Sequence, residues 1–278
     1  MRLRVDAKDR MKNCLSVIAL LCAITFLGCG GGGGGGAGSA SSGGASVVNV
    51  PAPTPVAMVS IFAPGVTFNA PKNLMFSSGN LYVANQPDIL KISSAGALVQ
   101  SYAVSNPIGI GMQSNNIYHT GELGGFDGIF QLGNSTFLVD RLPSNNFDGI
   151  AFYSTNMLFV ANVTNILAYT NFANPRIIPI TATPVGLAAD VTLARVYVTT
   201  DDGKIGYINP TNPGAGVTNL TQTAPARWGP LQHPNGVIVA ASGYAYVVSQ
   251  GDVSGNGGYI SKINTSTGVT EILVSDSV

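Results

Sequence analysis

The chain has 278 residues, 45% of them hydrophobic and only 9% charged, with 13 basic side chains balanced by 13 acidic ones. A usual charged share is about 25%, so the composition excludes a nucleic-acid reader with a basic face and leaves too little net charge to imply an electrostatic partner. Beyond residue 30 no apolar i, i+3, i+4, i+7 stripe outlasts a turn or two, and 35 glycines suit many short strands joined by turns, so an all-β fold is expected.

All three cysteines, Cys14, Cys22 and Cys29, fall in the first 29 residues, together with five basic and two acidic side chains. The rest of the chain is mildly acidic and has no disulfide, which a domain of about 220 residues does not need. Residues 14–28 form an apolar run behind a basic flank, short for a mature membrane-spanning helix and the right size for the hydrophobic region of a secretory signal. The run ends Phe26-Leu27-Gly28-Cys29, which resembles the lipobox of bacterial lipoproteins. The resemblance implies a signal peptide over residues 1–28 and lipidation of Cys29, which becomes the new amino terminus. Each buried methylene contributes about 0.8 kcal/mol, so two or three acyl chains would hold the protein in the membrane essentially permanently. Gly30, rather than Asp, follows the cysteine, and by the same resemblance this implies sorting to the outer membrane of the cell envelope. Met11-Lys12-Asn13 ahead of Cys14 would make a compact signal alone, so Met1 and Met11 both stand as starting residues.

Residues 29–55 carry an unbroken glycine run from Gly30 to Gly36, then Ala, Ser and Gly, then Pro51, Pro53 and Pro55. Such a segment cannot bury enough apolar surface to fold and behaves as a flexible coil with an r.m.s. reach of about 28 Å. A phosphate-binding role for the glycines is excluded, because no strand precedes them, no helix follows and no Gly-Lys-Ser/Thr appears.

From residue 56 onward one short strand returns five times. Its copies are Leu81-Tyr82-Val83, Ile117-Tyr118-His119, Leu158-Phe159-Val160, Val196-Tyr197-Val198 and Ala245-Tyr246-Val247, with aromatic spacings of 36, 41, 38 and 49 residues. About ten residues before each comes a first strand that often opens with Pro and Gly: Pro71-Lys72-Asn73, Pro107-Ile108-Gly109, Phe147-Asp148-Gly149, Pro184-Val185-Gly186 and Pro234-Asn235-Gly236. A third strand headed by Ile89, Ile129, Ile166, Ile205 or Ile260 follows, and turn signals lead to a fourth at Leu98–Val104, Val217–Thr221 and Val269–Val274. Four antiparallel strands repeating at roughly 40 residues describe a β-propeller blade. Five complete repeats are expected over 71–105, 106–142, 145–182, 183–222 and 233–275. The apolar stretch Val56 to Ala63 is an added outer strand or the remnant of a partial sixth blade.

The Pro-x-Gly-aliphatic, aliphatic-Tyr-Val-Ala and Ile-x-x-Ile columns resemble the NHL repeat and the related gluconolactonase-like propellers over residues 56–278. That resemblance implies ligands at the loops around one mouth of a central channel. Polar candidates there are Lys72, Asn73, Asn85, Asp88, Glu122, Asp127, Asp148, Asn162, Asp201, Asp202, His233, Asn235 and Asp252. In the gluconolactonase-like enzymes a channel Glu, Asp and Asn hold a divalent metal; by this resemblance Asp148 and Asn235, with an acid such as Glu122, form the candidate set. Asp252 opens Asp252-Val253-Ser254-Gly255-Asn256-Gly257, oxygen ligands at alternate positions before a glycine, as in the first half of a calcium loop. Ca or another divalent metal is therefore the cofactor considered, although the twelfth position is Ile263. His119 replaces valine in its column, and His233 follows an insertion containing Arg227 and Trp228, a candidate contact surface. No Gly-x-Ser-x-Gly elbow and no His-Glu-x-x-His occurs, against hydrolases of those kinds.

The sequence thus supports an envelope lipoprotein, tethered to the membrane through lipid on Cys29, whose propeller binds a protein or glycan. The alternative is a metal-dependent lactonase-like hydrolase with its site in the channel, and a purely structural envelope protein is the third class.

Overall fold

The computed structural model describes residues 63–69, 71–123, 126–133, 137–139, 147–220, 234–240, 243–249 and 258–275. The signal, Cys29, the glycine tether and residues 56–62 lie outside the described residues, as do Arg227, Trp228, His233 and Asp252.

Strands form where aromatic and β-branched residues alternate between two faces that are both covered. In the first blade these are β1 (Pro71–Ser77), β2 (Asn80–Asn85), β3 (Asp88–Ser93) and β4 (Leu98–Ala103). The second holds β5 (Ile110–Gln113), β6 (Asn116–Leu123), β7 (Phe126–Gln131) and β8 (Phe137–Val139). The third holds β9 (Phe147–Ser154), β10 (Met157–Asn162), β11 (Asn165–Thr170) and β12 (Ala173–Pro179). The fourth holds β13 (Pro184–Asp190), β14 (Arg195–Thr200), β15 (Ile205–Ile208) and β16 (Val217–Asn219), and the fifth β17 (Pro234–Ala240), β18 (Tyr244–Ser249), β19 (Tyr259–Asn264) and β20 (Thr270–Ser275). Within each sheet the strands lie in sequence order and pair antiparallel. The protein is all-β, a β-propeller of five four-stranded blades. Among the described residues the helical content is a single 3-10 turn at Pro213–Ala215.

The repeated dipeptide assembles the ring. Side chains alternate across a strand, so the aromatic of each second strand and the residue after it face opposite neighbours. Tyr82 packs with Ile110 of the second blade, Tyr118 with Phe147 and Ile150 of the third, Phe159 with Leu187 and Val196 of the fourth, and Tyr197 with Val237 and Val247 of the fifth. Val160, Val198 and Val247 point backward into the same seams. Phe159, Tyr197 and these three valines are fully buried. Each of these four seams therefore buries one blade's aromatic against apolar residues of its successor, so the blades are stabilised by stacking on one another.

The fifth seam is different. Val83 and Leu81 of the first blade point backward but pack with Ala63, Val66 and Phe68, and Tyr246 of the last blade points forward and stays only half-buried.

Candidate functional site: the channel and its bulged mouth

Four of the five first strands begin with the same local irregularity. Pro71 pairs with Asn85 and Asn73 with Ala84; Phe147 pairs with Asn162 and Gly149 with Ala161; Pro184 pairs with Thr200 and Gly186 with Thr199; Pro234 pairs with Ser249 and Gly236 with Val248. Two residues on the first strand advance where one advances on its partner, and the register skips Lys72, Asp148, Val185 and Asn235. These are β-bulges, which re-aim the extra side chain and locally end the ladder. Proline fits the position before the bulge because a strand's first residue tolerates a missing N–H. The middle residue of the Pro-x-Gly column is thus a ring of bulged positions at one mouth.

The glycine that closes the motif admits the next blade. A Cβ on Gly149 would sit 3.2 Å from the Leu187 nitrogen, and one on Gly186 would sit 3.1 Å from the Gly236 Cα and from the Val237 nitrogen. In two blades, the fourth with its bulge and the second, a buried threonine meets the glycine of this column: the Gly109 N–H donates to Thr120 Oγ1 at 2.7 Å and the Gly186 N–H to Thr199 Oγ1 at 3.1 Å. Asn73 stands in this column in the first blade, where its Oδ1 accepts the Leu74 N–H at 2.7 Å. A Cβ on Gly236 would meet nothing within 4 Å.

The five first strands line a cavity of about 450 Å³. Its wall is mainly apolar, with Leu74, Ile110, Ile150, Leu187 and Val237 contributed by successive blades, while Lys72, Asn73 and Asn235 supply polar groups at the bulged mouth. Leu81 of β2 and Tyr246 and Val248 of β18 also line it, so it runs from the channel into the seam between the last blade and the first.

The expected mouth residues separate into distinct environments. Asn85 is buried and committed, its Oδ1 accepting the Asn69 N–H at 2.7 Å and its Nδ2–H donating to Asp88 Oδ1 at 3.0 Å. Asp88 also accepts from Ser101 Oγ–H. Asn162 accepts the Val163 N–H at 2.7 Å, Asp201 accepts the Thr183 N–H at 2.9 Å, and Asp202 accepts from Thr200 Oγ–H and from Lys204. Burial works to raise the Asp202 carboxyl, and the hydrogen bonds from Lys204 and Thr200 with the Lys204 charge outweigh it, holding the group below its usual value. Asp201 to Gly203 forms the expected hairpin turn, with Gly203 at φ +85°.

Glu122 and Asp127, expected in a loop, sit opposite each other on paired strands β6 and β7. Burial and the Glu122 charge raise the Asp127 carboxyl above its usual value. Glu122 lines a second cavity of about 640 Å³ with Tyr102, Ser105, Asn106, His119 and Phe130. His119 is 4% exposed; its ring lies 5.5 Å from the Phe130 ring, and its Nδ1 lies 3.2 Å from the Thr120 carbonyl oxygen. Burial holds it below the ordinary histidine value, against that backbone hydrogen bond. Asn235 lines the channel and Asp148 holds the equivalent bulged position, whereas Glu122 lines the other cavity. Among the described residues no group of three or more His, Cys, Asp and Glu could hold a metal ion. Lys72 is the bulged residue whose weight sequence reasoning missed, although the Pro-x-Gly column contained it.

No protein family profile matches the chain, and no curated protein does. Solved structures are similar in fold. A chain of the nidogen/laminin complex is 16% identical with a TM-score of 0.53, over 72% of this chain and 76% of that one. The β-propeller domain of Swd1 from Myceliophteria thermophila is 7% identical with a TM-score of 0.51, over 71% of this chain and 66% of that one. At these identities the likeness shows the β-propeller fold and nothing further.

Proposed function

We propose that the chain is an envelope lipoprotein, acylated on Cys29 and sorted to the outer membrane, whose NHL-like propeller is a binding module for a protein or glycan. The bulged mouth carries this reading: three bulged positions hold polar side chains and one an apolar residue, above a cavity with apolar walls. Such a rim can recognise a surface by hydrogen bonds, and apolar walls beneath a few polar groups are the usual make-up of a ligand site. The lipobox and the glycine tether support the anchoring, since a leash of about 28 Å lets the propeller reach a partner beyond the lipid headgroups. One structure of similar fold is part of a protein complex, which supports a protein partner. The lactonase-like alternative gains no observation, because Glu122 lines a different cavity from the one that Asn235 lines.

Two measurements test the proposal. In Cys29→Ser the protein should leave the membrane fraction, and its retention there would refute lipidation. A photoreactive side chain placed at Lys72 or Asn235 should cross-link a partner in intact cells, whereas one at Gln100 on exposed β4 should not. Adducts at Gln100 alone, or equally at all three positions, would remove the mouth as the binding surface.

A further inference from the structure

The last seam leaves the channel open on one side, and the residues that open it are specific. Tyr246 occupies the aromatic column that in the four other blades packs onto the next blade. Here its ring and Val248 line the channel cavity, together with Leu81 from the first blade. The backbone at Gly236 agrees: its counterparts Gly149 and Gly186 would carry a Cβ within 3.2 Å of the following strand, while a Cβ on Gly236 enters open space.

The chemistry of this pocket is one-sided. Its walls near the seam are Leu74, Leu81, Val237, Ile238, Tyr246 and Val248, and Lys72 is the one charged side chain among the described lining residues. No described residue forms an ion pair with Lys72; the described ion pairs join Lys204 to Asp202 and Lys262 to Glu271. Several acids of the outer mouth are engaged by hydrogen bonds: Asp88 by Asn85 and Ser101, Asp201 by the Thr183 N–H, and Asp202 by Lys204 and Thr200. The Asn235 amide lies on the same wall as an additional donor. A volume of about 450 Å³ falls within the range of about 300–1,000 Å³ usual for small-molecule sites.

We infer that this channel and seam bind an amphipathic carboxylate, with its aliphatic body between Tyr246, Val248 and Leu74 and its carboxylate at Lys72 and Asn235. This rests on the binding-module reading and adds a ligand class to it. Apolar burial contributes most of the affinity, and the ammonium selects the head group by a charge-assisted hydrogen bond.

The test uses the full chain with Cys29→Ser, so that no attached lipid competes, titrated calorimetrically with decanoate and with decanol. Decanoate should bind more tightly than decanol. Lys72→Gln should weaken decanoate about tenfold, as loss of one charge-assisted contact does, and leave decanol unchanged. Gly236→Leu, whose Cβ meets no neighbour, should fill the pocket and abolish binding of both while thermal unfolding stays as in the parent chain. If the parent binds neither probe, or Gly236→Leu folds and still binds both, the pocket is not the site. If Lys72→Gln weakens both probes equally, the carboxylate assignment falls. Cross-linking from Lys72 and Asn235 to a cellular partner would persist in Gly236→Leu if only this inference fails, which separates it from the mouth-binding proposal.

Discussion

Two glycines in the same motif make opposite demands. Gly186 admits the fifth blade: an added Cβ would lie 2.9 Å from Thr199 Oγ1 and 3.1 Å from backbone atoms of Gly236 and Val237, which cannot swing aside. Gly186→Ala should therefore destabilise by about 1–3 kcal/mol, the usual cost of overpacking. Gly236→Ala meets nothing within 4 Å and should be neutral or stabilising by about 0.4–1 kcal/mol, through the lower entropy of the unfolded chain. Denaturant midpoints for the pair check both signs, and equal losses would show that the last seam is as tight as the others. His119 gives the pH dependence at this scale. Its folded value lies below the ordinary 6.5 of a histidine, so as pH falls the unfolded chain takes up the proton first. Stability is intact above about 6.5 and is lost as pH falls through the lowered folded value. Melting temperatures from about pH 7.5 down to about 5 should fall, and His119→Phe, which keeps a ring against Phe130 without titrating, should flatten the fall in that window.

At the scale of the element, two of the first-strand glycines find a buried side-chain acceptor for their N–H. Thr199 supplies one in the fourth blade and Thr120 in the second, while the equivalent residues elsewhere are Ala84, Ala161 and Val248. Thr199→Val keeps shape and buries an N–H without that partner, so it should cost about 1–3 kcal/mol. Hydrogen exchange at the Gly186 amide should quicken in the same variant; unchanged exchange would assign the hydroxyl no role. The inner three strands of every blade were legible because their columns repeat, and the second strand of the first, third and fourth blades also because both its faces are covered. The fourth strands were legible in the first, fourth and fifth blades, where a turn signal leads into an apolar run. β8 (Phe137–Val139) is only three residues long, and along β12 (Ala173–Pro179) only Ile178 is buried, so no alternation marks it. The mouth was half legible for a related reason. Pro-x-Gly announced a shared column, but strand pairing, which sequence does not display, decides that its middle residue is a bulge. Asn85, polar and beside that column, looked like a ligand residue and instead spends its amide on Asn69 and Asp88.

For the whole molecule, the question is how a stack of five blades distributes its stability. Each blade gains its core only from neighbours, so stability approximates a sum of blade and seam contributions. β9, β13 and β17 pack closely in succession, whereas β1 approaches β5 less closely. The first blade's backward face is covered by Ala63, Val66 and Phe68 rather than by another blade. A cover of two half-buried side chains and one alanine is thin beside the seam of the third and fourth blades, where Phe159, Ile166, Val196, Val198 and Ile208 are all fully buried. Sub-globally open states should therefore begin at the first blade, since regions with few buried apolar contacts open at lower free energy. Native-state hydrogen exchange should show the amides of β2 and β3 exchanging through an opening that leaves β10, β11 and β14 protected. Val66→Ser removes apolar cover without touching a blade, so it should accelerate exchange in β2 and β3 severalfold and leave β10 to β14 unchanged. Equal acceleration in all five sheets would mean that the ring opens as one unit, and that the last seam is coupled to the rest as firmly as the other four.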